Sequence, residues 1–221
     1  MTFCNSAKIS NNKNLKSNVK FMKFLHVGCG LKAKSSTTSG FDSDEWEEVR
    51  FDIDSRVNPD IIGTMINMEG VESKSMDAIY SSHNIEHLYP HEVKLAFQEF
   101  FRVLKDGGFV MVTCPDLQSI CELVAEDKLL EPAYNSVSGP IAPIDMIFGF
   151  RPSIAAGNLH MSHRTGFTQK SLADTFRGLG FESVASARRR SRFDLFCLAS
   201  KEKLSQEELM SLAKKHFPGK N

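Results

Sequence analysis

Apolar and polar positions follow two rhythms along this chain, and the switches between them mark its elements. The run Lys23-Phe24-Leu25-His26-Val27 stops at Gly28, which reads as a buried strand and its exit turn. Shorter apolar runs predict further strands at 49–53, 60–63 and 78–82. Pro90 suits the first turn of a helix whose face carries Val93, Ala96, Phe97, Phe100 and Leu104 at helical spacing. Asp106-Gly107-Gly108 reads as the stop of that helix, and the apolar run 109–113 as a fifth buried strand. Strands alternating with helices predict an α/β domain around a mostly parallel sheet.

Two stretches break the rhythm. Residues 32–48 are too polar and aperiodic to promise a helix between the first two strands. Residues 117–166 begin as a possible helix, but six of the later positions up to Gly157 are Pro or Gly within 139–157, and such a long connection reads as a substrate-side insertion or lid. Beyond it, Thr168 is placed to cap a helix carrying Leu172, Phe176 and Leu179, with Gly180 past its end. Runs at 181–187 and 194–199 read as closing strands around an arginine-rich hairpin, Arg188 to Arg192, expected to be solvated. Ser205 and Glu208 have capping-box spacing for a last helix over 204–217. The expected organisation is a polar, flexible arm over 1–22 and one domain over 23–221.

Composition narrows the classes. Lys plus Arg number 27 and so do Asp plus Glu, so no global field gathers a polyanion, and no specific nucleic-acid signal appears. The five cysteines include no C-x-x-C pair, which argues against a disulfide framework or zinc knuckle and for a reducing, cytoplasmic setting. The most apolar later stretch, 141–150, is short and holds Pro143 and Asp145, so no transmembrane segment is expected.

Gly28-Cys29-Gly30 directly after a strand lets backbone approach a ligand closely. Asp52, at the end of the next strand, can accept hydrogen bonds from both hydroxyls of a ribose. Together they point to an adenosine-containing cofactor. Gly28-x-Gly30-x-x-Ala33 formally fits the dinucleotide fingerprint, which keeps an NAD-type oxidoreductase open. That fingerprint aims a helix N-terminus at a pyrophosphate, and the residues after Gly30 promise no such helix.

These residues resemble those of the class I S-adenosylmethionine-dependent methyltransferases, in particular the small, type-11-like bacterial enzymes. The likeness rests on Leu25-His26-Val27-Gly28-Cys29-Gly30, Phe51-Asp52-Ile53-Asp54, the segment from Ser75 to Leu88 with its Glu86-His87 ending, Phe101 to Gly108, and the block from His163 to Phe181. It implies a Rossmann-like, seven-stranded, mostly parallel sheet with an antiparallel last strand and helices on both faces. It also implies S-adenosyl-L-methionine as cofactor and methyl transfer to an O, N or C nucleophile of an unidentified, small-molecule acceptor. A noncatalytic module that kept the fold is the other alternative.

By the same resemblance, Gly28, Cys29 and Gly30 would pass beneath the methionine and ribose, and Asp52 would hold the ribose. Ile53 would pack on the adenine, Thr64 and Met65 would border its edge, and Ser82 and His83 would approach the sulfonium. His26 stands where the family often carries an acid, at the methionine end. His87 and His163 are candidate proton acceptors, and His160, Arg151 and Arg164 are candidate substrate contacts. His83, His87 and His91 recur every four residues, but Pro90 interrupts the face they would share, so no metal site is expected.

Overall fold

Side chains alternate across a strand, and in β1 (Met22–Val27) both sets are buried: Leu25 and Val27 enter one apolar cluster, Phe24 the other. A strand buried on both faces belongs inside a layered α/β fold. The computed structural model describes residues 21–219, so the expected arm over 1–22 lies outside the described residues except at Phe21 and Met22. Met22 is already part of β1.

Parallel pairing joins β1 to β2 (Trp46–Asp52) and to β4 (Met76–Ser82), β2 to β3 (Ile61–Ile62), and β4 to β5 (Leu104–Pro115). Late in the chain come β8 (Ser183–Arg189) and β9 (Asp194–Ser200); β9 lies antiparallel between β5 and β8. The order across the seven-stranded sheet is β3-β2-β1-β4-β5-β9-β8. The last strand is thus the antiparallel one, as the resemblance implies.

Helix α1 (Pro90–Val103) buries Val93, Ala96, Phe97 and Phe100 against one face, where Leu172 and Phe176 of α5 (Gln169–Arg177) join it. The Phe97 and Phe176 rings stack at 4.4 Å. Thr168 caps α5 by accepting from the Ser171 amide, and Ser205 and Glu208 form the capping box of α6 (Gln206–His216). One expectation fails locally. Leu104 is fully buried in extended backbone as the first residue of β5, so the helix ends at Val103 and Asp106-Gly107-Gly108 sits within β5, where the pairing with β4 shifts register.

Between β1 and β2 there is no α-helix, only a 3-10 turn at Lys34–Ser36. Phe41 and Trp46 fill the space, Phe41 stacking on Phe24 and Phe109 and Trp46 meeting Phe24 edge-on, and α6 closes this second face. The insertion folds as α2 (Leu117–Ala125), a hairpin of β6 (Tyr134–Ser136) and β7 (Gly139–Ile141), then α3 (Pro143–Phe148) and α4 (Arg151–Ala155). Ile120, Ile141 and Met146 give it a small core, with Ile147 and Phe150 packed against them and Phe148 left exposed. The expected solvated arginine hairpin is corrected at two positions. Arg188 reaches the fully buried Asp116 at 2.6 Å, and Arg189 forks onto Asp194, because both acids would otherwise be buried without a cation. No helix among the described residues is long and apolar enough to cross a membrane.

His216 anchors α6. Its ring is buried against Phe41 at 4.4 Å, its Nδ1 lies 2.7 Å from Thr38 Oγ1, and a Cβ on Gly40 would strike it at 2.5 Å. Burial, helped by the charge of Lys215, lowers its pKa from 6.5 to about 4. Between those values the unfolded chain holds a proton that the folded chain does not, so acid favours unfolding there. The loss from this group amounts to about 3 kcal/mol as pH falls from about 6.5 to about 4. In His216→Asn, denaturant midpoints measured across that window should fall less steeply than in the parent protein; an unchanged slope would refute the assignment.

Candidate active site

The parallel strands deliver their carboxyl ends to one edge of the sheet, and there the chain leaves a cavity of about 480 Å³. Its walls come from the exits of β1, β2 and β4, from the loop after β3, and from the end of the insertion. Gly28 and Gly30 both take positive φ, +65° and +53°, which turns the chain sharply off β1. The Gly28 and Cys29 amides are spent on the carbonyl of Phe51, at 2.8 and 3.3 Å.

Asp52 fixes the other half of the turn. One carboxylate oxygen accepts from the Gly30 amide at 2.8 Å and the other from the Asp54 amide at 2.9 Å. Two amides use only part of the carboxylate's acceptor capacity, and Asp52 still lines the cavity. Nothing lies within 4 Å of the place a Gly30 Cβ would occupy. A bare backbone beside a carboxylate with lone pairs to spare fits the ribose of an adenosine cofactor. No helix N-terminus stands behind it for a pyrophosphate.

Asn84 was not singled out as a site residue by sequence reasoning, yet it staples the site together. Its amide donates to the carbonyls of Val27 and Ser82, both at 3.0 Å, tying the ends of β1 and β4. A Cβ on Gly28 would meet Asn84 at 2.1 Å, so the glycine and the amide require each other. The signal in the sequence was a polar amide just past a buried strand end. Neighbouring His83 is held at φ +55°, a strained conformation for this residue type, and projects into the cavity.

Ten expected site residues come together around the cavity: Gly28, Gly30, Asp52, Ile53, Thr64, Met65, His83, His87, His160 and Arg164. Ile53 is 55% exposed there, an apolar surface open to a flat ring. Arg164 lies over the Tyr89 ring at 4.7 Å and donates to the His87 carbonyl. The side chains of five others do not line it. His26 points to the opposite face of β1, buried against Tyr80, with Nδ1 2.6 Å from Glu48. Burial lowers its pKa despite that carboxylate. Cys29 turns its side chain into the core, where burial raises its thiol pKa. Ser82 Oγ is taken by Thr113 at 2.7 Å. Arg151 forks onto Asp145 inside the insertion. His163 sits behind the cavity wall, its ring 4.9 Å from that of His87.

Glu86 joins the two histidines from below, 1% exposed. Burial alone would raise its pKa, but contact with His83 and the nearby His87 and His163 hold it below the ordinary value, so it stays ionised. Burial opposes a charge on His83 as well, yet Glu86 and Asp194 raise its pKa. Burial lowers that of His163, which keeps it neutral near pH 7. The backbone carbonyl of Glu86 accepts from the Arg164 and Thr165 amides, at 2.8 and 3.2 Å, and so docks the insertion.

Residues 25–112 match the family model described as a methyltransferase domain. No curated protein matches the chain in sequence. Among solved structures, an S-adenosylmethionine-dependent methyltransferase of Thermotoga maritima is similar at 14% identity, with 81% of this chain and 82% of that one covered and a TM-score of 0.52. Another, from Methanosarcina mazei, is similar at 15% identity over 82% and 92% of the two chains, with a TM-score of 0.52. A 1,6-didemethyltoxoflavin N1-methyltransferase of Burkholderia thailandensis, solved with that compound and S-adenosylhomocysteine, gives 14% identity, 83% and 72% coverage and a TM-score of 0.53. Residues 25–112 thus carry the pattern of a methyltransferase domain, and the chain shares the fold of these solved structures.

The glycine turn can be tested without a ligand. Gly28→Ala should lower the unfolding free energy by roughly 2–4 kcal/mol, through a strained φ and the collision with Asn84. Gly30→Ala, with open space around it, should cost only about 1 kcal/mol. Equal losses in denaturant titrations would contradict the packing described.

Proposed function

We propose that the chain transfers the methyl group of S-adenosylmethionine to an oxygen, nitrogen or carbon nucleophile of a small molecule held between α1 and the insertion. The observation that carries this reading is the Asp52 carboxylate, hydrogen-bonded to the Gly30 amide at the rim of the cavity. On it, the remaining lone pairs of Asp52 take the ribose hydroxyls, Ile53 covers the adenine, and Thr64 and Met65 border its edge. The backbone of Gly28 and Gly30 lies under the methionine portion, and His83 faces the sulfonium.

The cofactor supplies an activated methyl and a good leaving group. The protein's part is to align the acceptor in line with that methyl, exclude water and accept a proton where the nucleophile carries one. His160, on the cavity wall, is placed for that proton, and Arg164 for an anionic or electron-rich acceptor. The insertion over 117–166 forms the substrate-side wall. A cavity of about 480 Å³ suits a small molecule beside a cofactor better than a polymer, and the Burkholderia thailandensis structure holds such a compound. The four described cysteines are unpaired, consistent with work in a reducing cytoplasm.

An NAD-type oxidoreductase is disfavoured by the missing helix after Gly30. Calorimetry with S-adenosylhomocysteine separates the readings. Asp52→Ala should bind it roughly 30- to 100-fold more weakly, with a native circular dichroism spectrum. Unchanged affinity, or stabilisation of the parent protein by NAD alone, would overturn the assignment.

A further inference from the structure

We infer that Glu86, His87 and His163 bind one divalent transition-metal ion of the zinc class. The first ground is a buried charge with one imperfect partner. Neither carboxylate oxygen of Glu86 has a hydrogen-bond partner, although the side chain is almost wholly buried. The nearest cationic side chain, His83, places Nδ1 at 3.3 Å but off hydrogen-bonding geometry. One ion-pair contact without a hydrogen bond leaves most of that buried carboxylate's acceptor capacity unused, a costly state that a second cation would relieve.

The second ground is how the two imidazoles are held. His87 Nδ1 lies 3.1 Å from the carbonyl of Ser162, and His163 Nδ1 lies 2.9 Å from the carbonyl of Met146. A carbonyl can only accept, so both Nδ1 atoms carry a proton, which in the neutral imidazole leaves each Nε2 its lone pair. A backbone carbonyl that fixes the tautomer of a histidine is the usual support of a metal ligand. With the rings 4.9 Å apart, ligand atoms of Glu86, His87 and His163 all fall within 4.8 Å of one another. Metal–ligand distances of about 2.0–2.2 Å then ask the trio to close by about an ångström, within reach of side-chain rotation.

Donor chemistry sets the ion. Two neutral imidazoles and one carboxylate suit zinc, cobalt(II) or iron(II), whereas magnesium and calcium prefer oxygen alone. Three protein ligands leave coordination open. Glu86 and His163 border a void of about 10 Å³, while His87 lines the large cavity, so the ion would sit in the wall between them. On the methyltransferase reading, the open position facing the cavity takes an oxygen of the acceptor.

The test uses the full chain, stripped with a chelator and titrated with cobalt(II). It should bind about one equivalent and show visible ligand-field bands, which zinc(II) removes and magnesium(II) does not. His87→Gln alters the most accessible ligand without opening the core and should weaken cobalt binding about tenfold or more. Glu86→Gln and His163→Gln should do the same wherever circular dichroism shows them folded. A parent protein that binds cobalt no more tightly than His87→Gln, or whose bands persist in that variant, overturns the proposal. S-adenosylhomocysteine calorimetry on the stripped protein runs beside it. Cofactor binding without cobalt binding sinks the metal site alone, and cobalt binding without cofactor binding sinks only the methyltransferase assignment.

Discussion

The bond from the Gly30 amide to the Asp52 carboxylate joins the ends of β1 and β2 just beyond their pairing. It sets the distance between bare backbone and acid, and that distance defines what can lie across the sheet edge. The Phe51 carbonyl, taking the Gly28 and Cys29 amides, and the Asn84 amide, taking the Val27 carbonyl, hold the same turn from two further sides. The burial of β1 on both faces keeps this scaffold rigid, so the ligand-facing geometry is built before any ligand arrives.

Much of the sheet was legible because buried parallel strands are short apolar runs, and those runs stand out at 23–27, 78–82 and 109–113. The caps of α5 and α6 were legible for the same local reason, since Thr168, Ser205 and Glu208 act within one turn of chain. The antiparallel place of β9 came from the resemblance, because strand order is a long-range property that no window of residues contains. The end of α1 was misread at Asp106-Gly107-Gly108, where glycines serve a bulge in β5 rather than a cap.

The site residues divide along the same line. Gly28, Gly30, Asp52 and Ile53 were readable because each sits at a strand end whose direction the pattern fixes. His26 could have been excluded by strand parity, since it alternates with Leu25 and Val27, which face the other layer. Arg151 and His163 could not. One answers to Asp145 within the insertion and the other to His87, 76 positions earlier, and only the folded connection brings those partners together. Glu86 is the same case. Its carbonyl docks the insertion while its carboxylate is left buried beside two histidines, so a segment that reads as a brace also gathers a set of metal donors.

The most direct measurement of the central claim is a crystal structure of the protein with S-adenosylhomocysteine. Both ribose hydroxyls should lie within hydrogen-bonding distance of the Asp52 carboxylate, with the adenine on Ile53 and the Gly30 amide still bound to the acid. A ribose lodged elsewhere, or an Asp52 that keeps only its two backbone amides, would contradict the account.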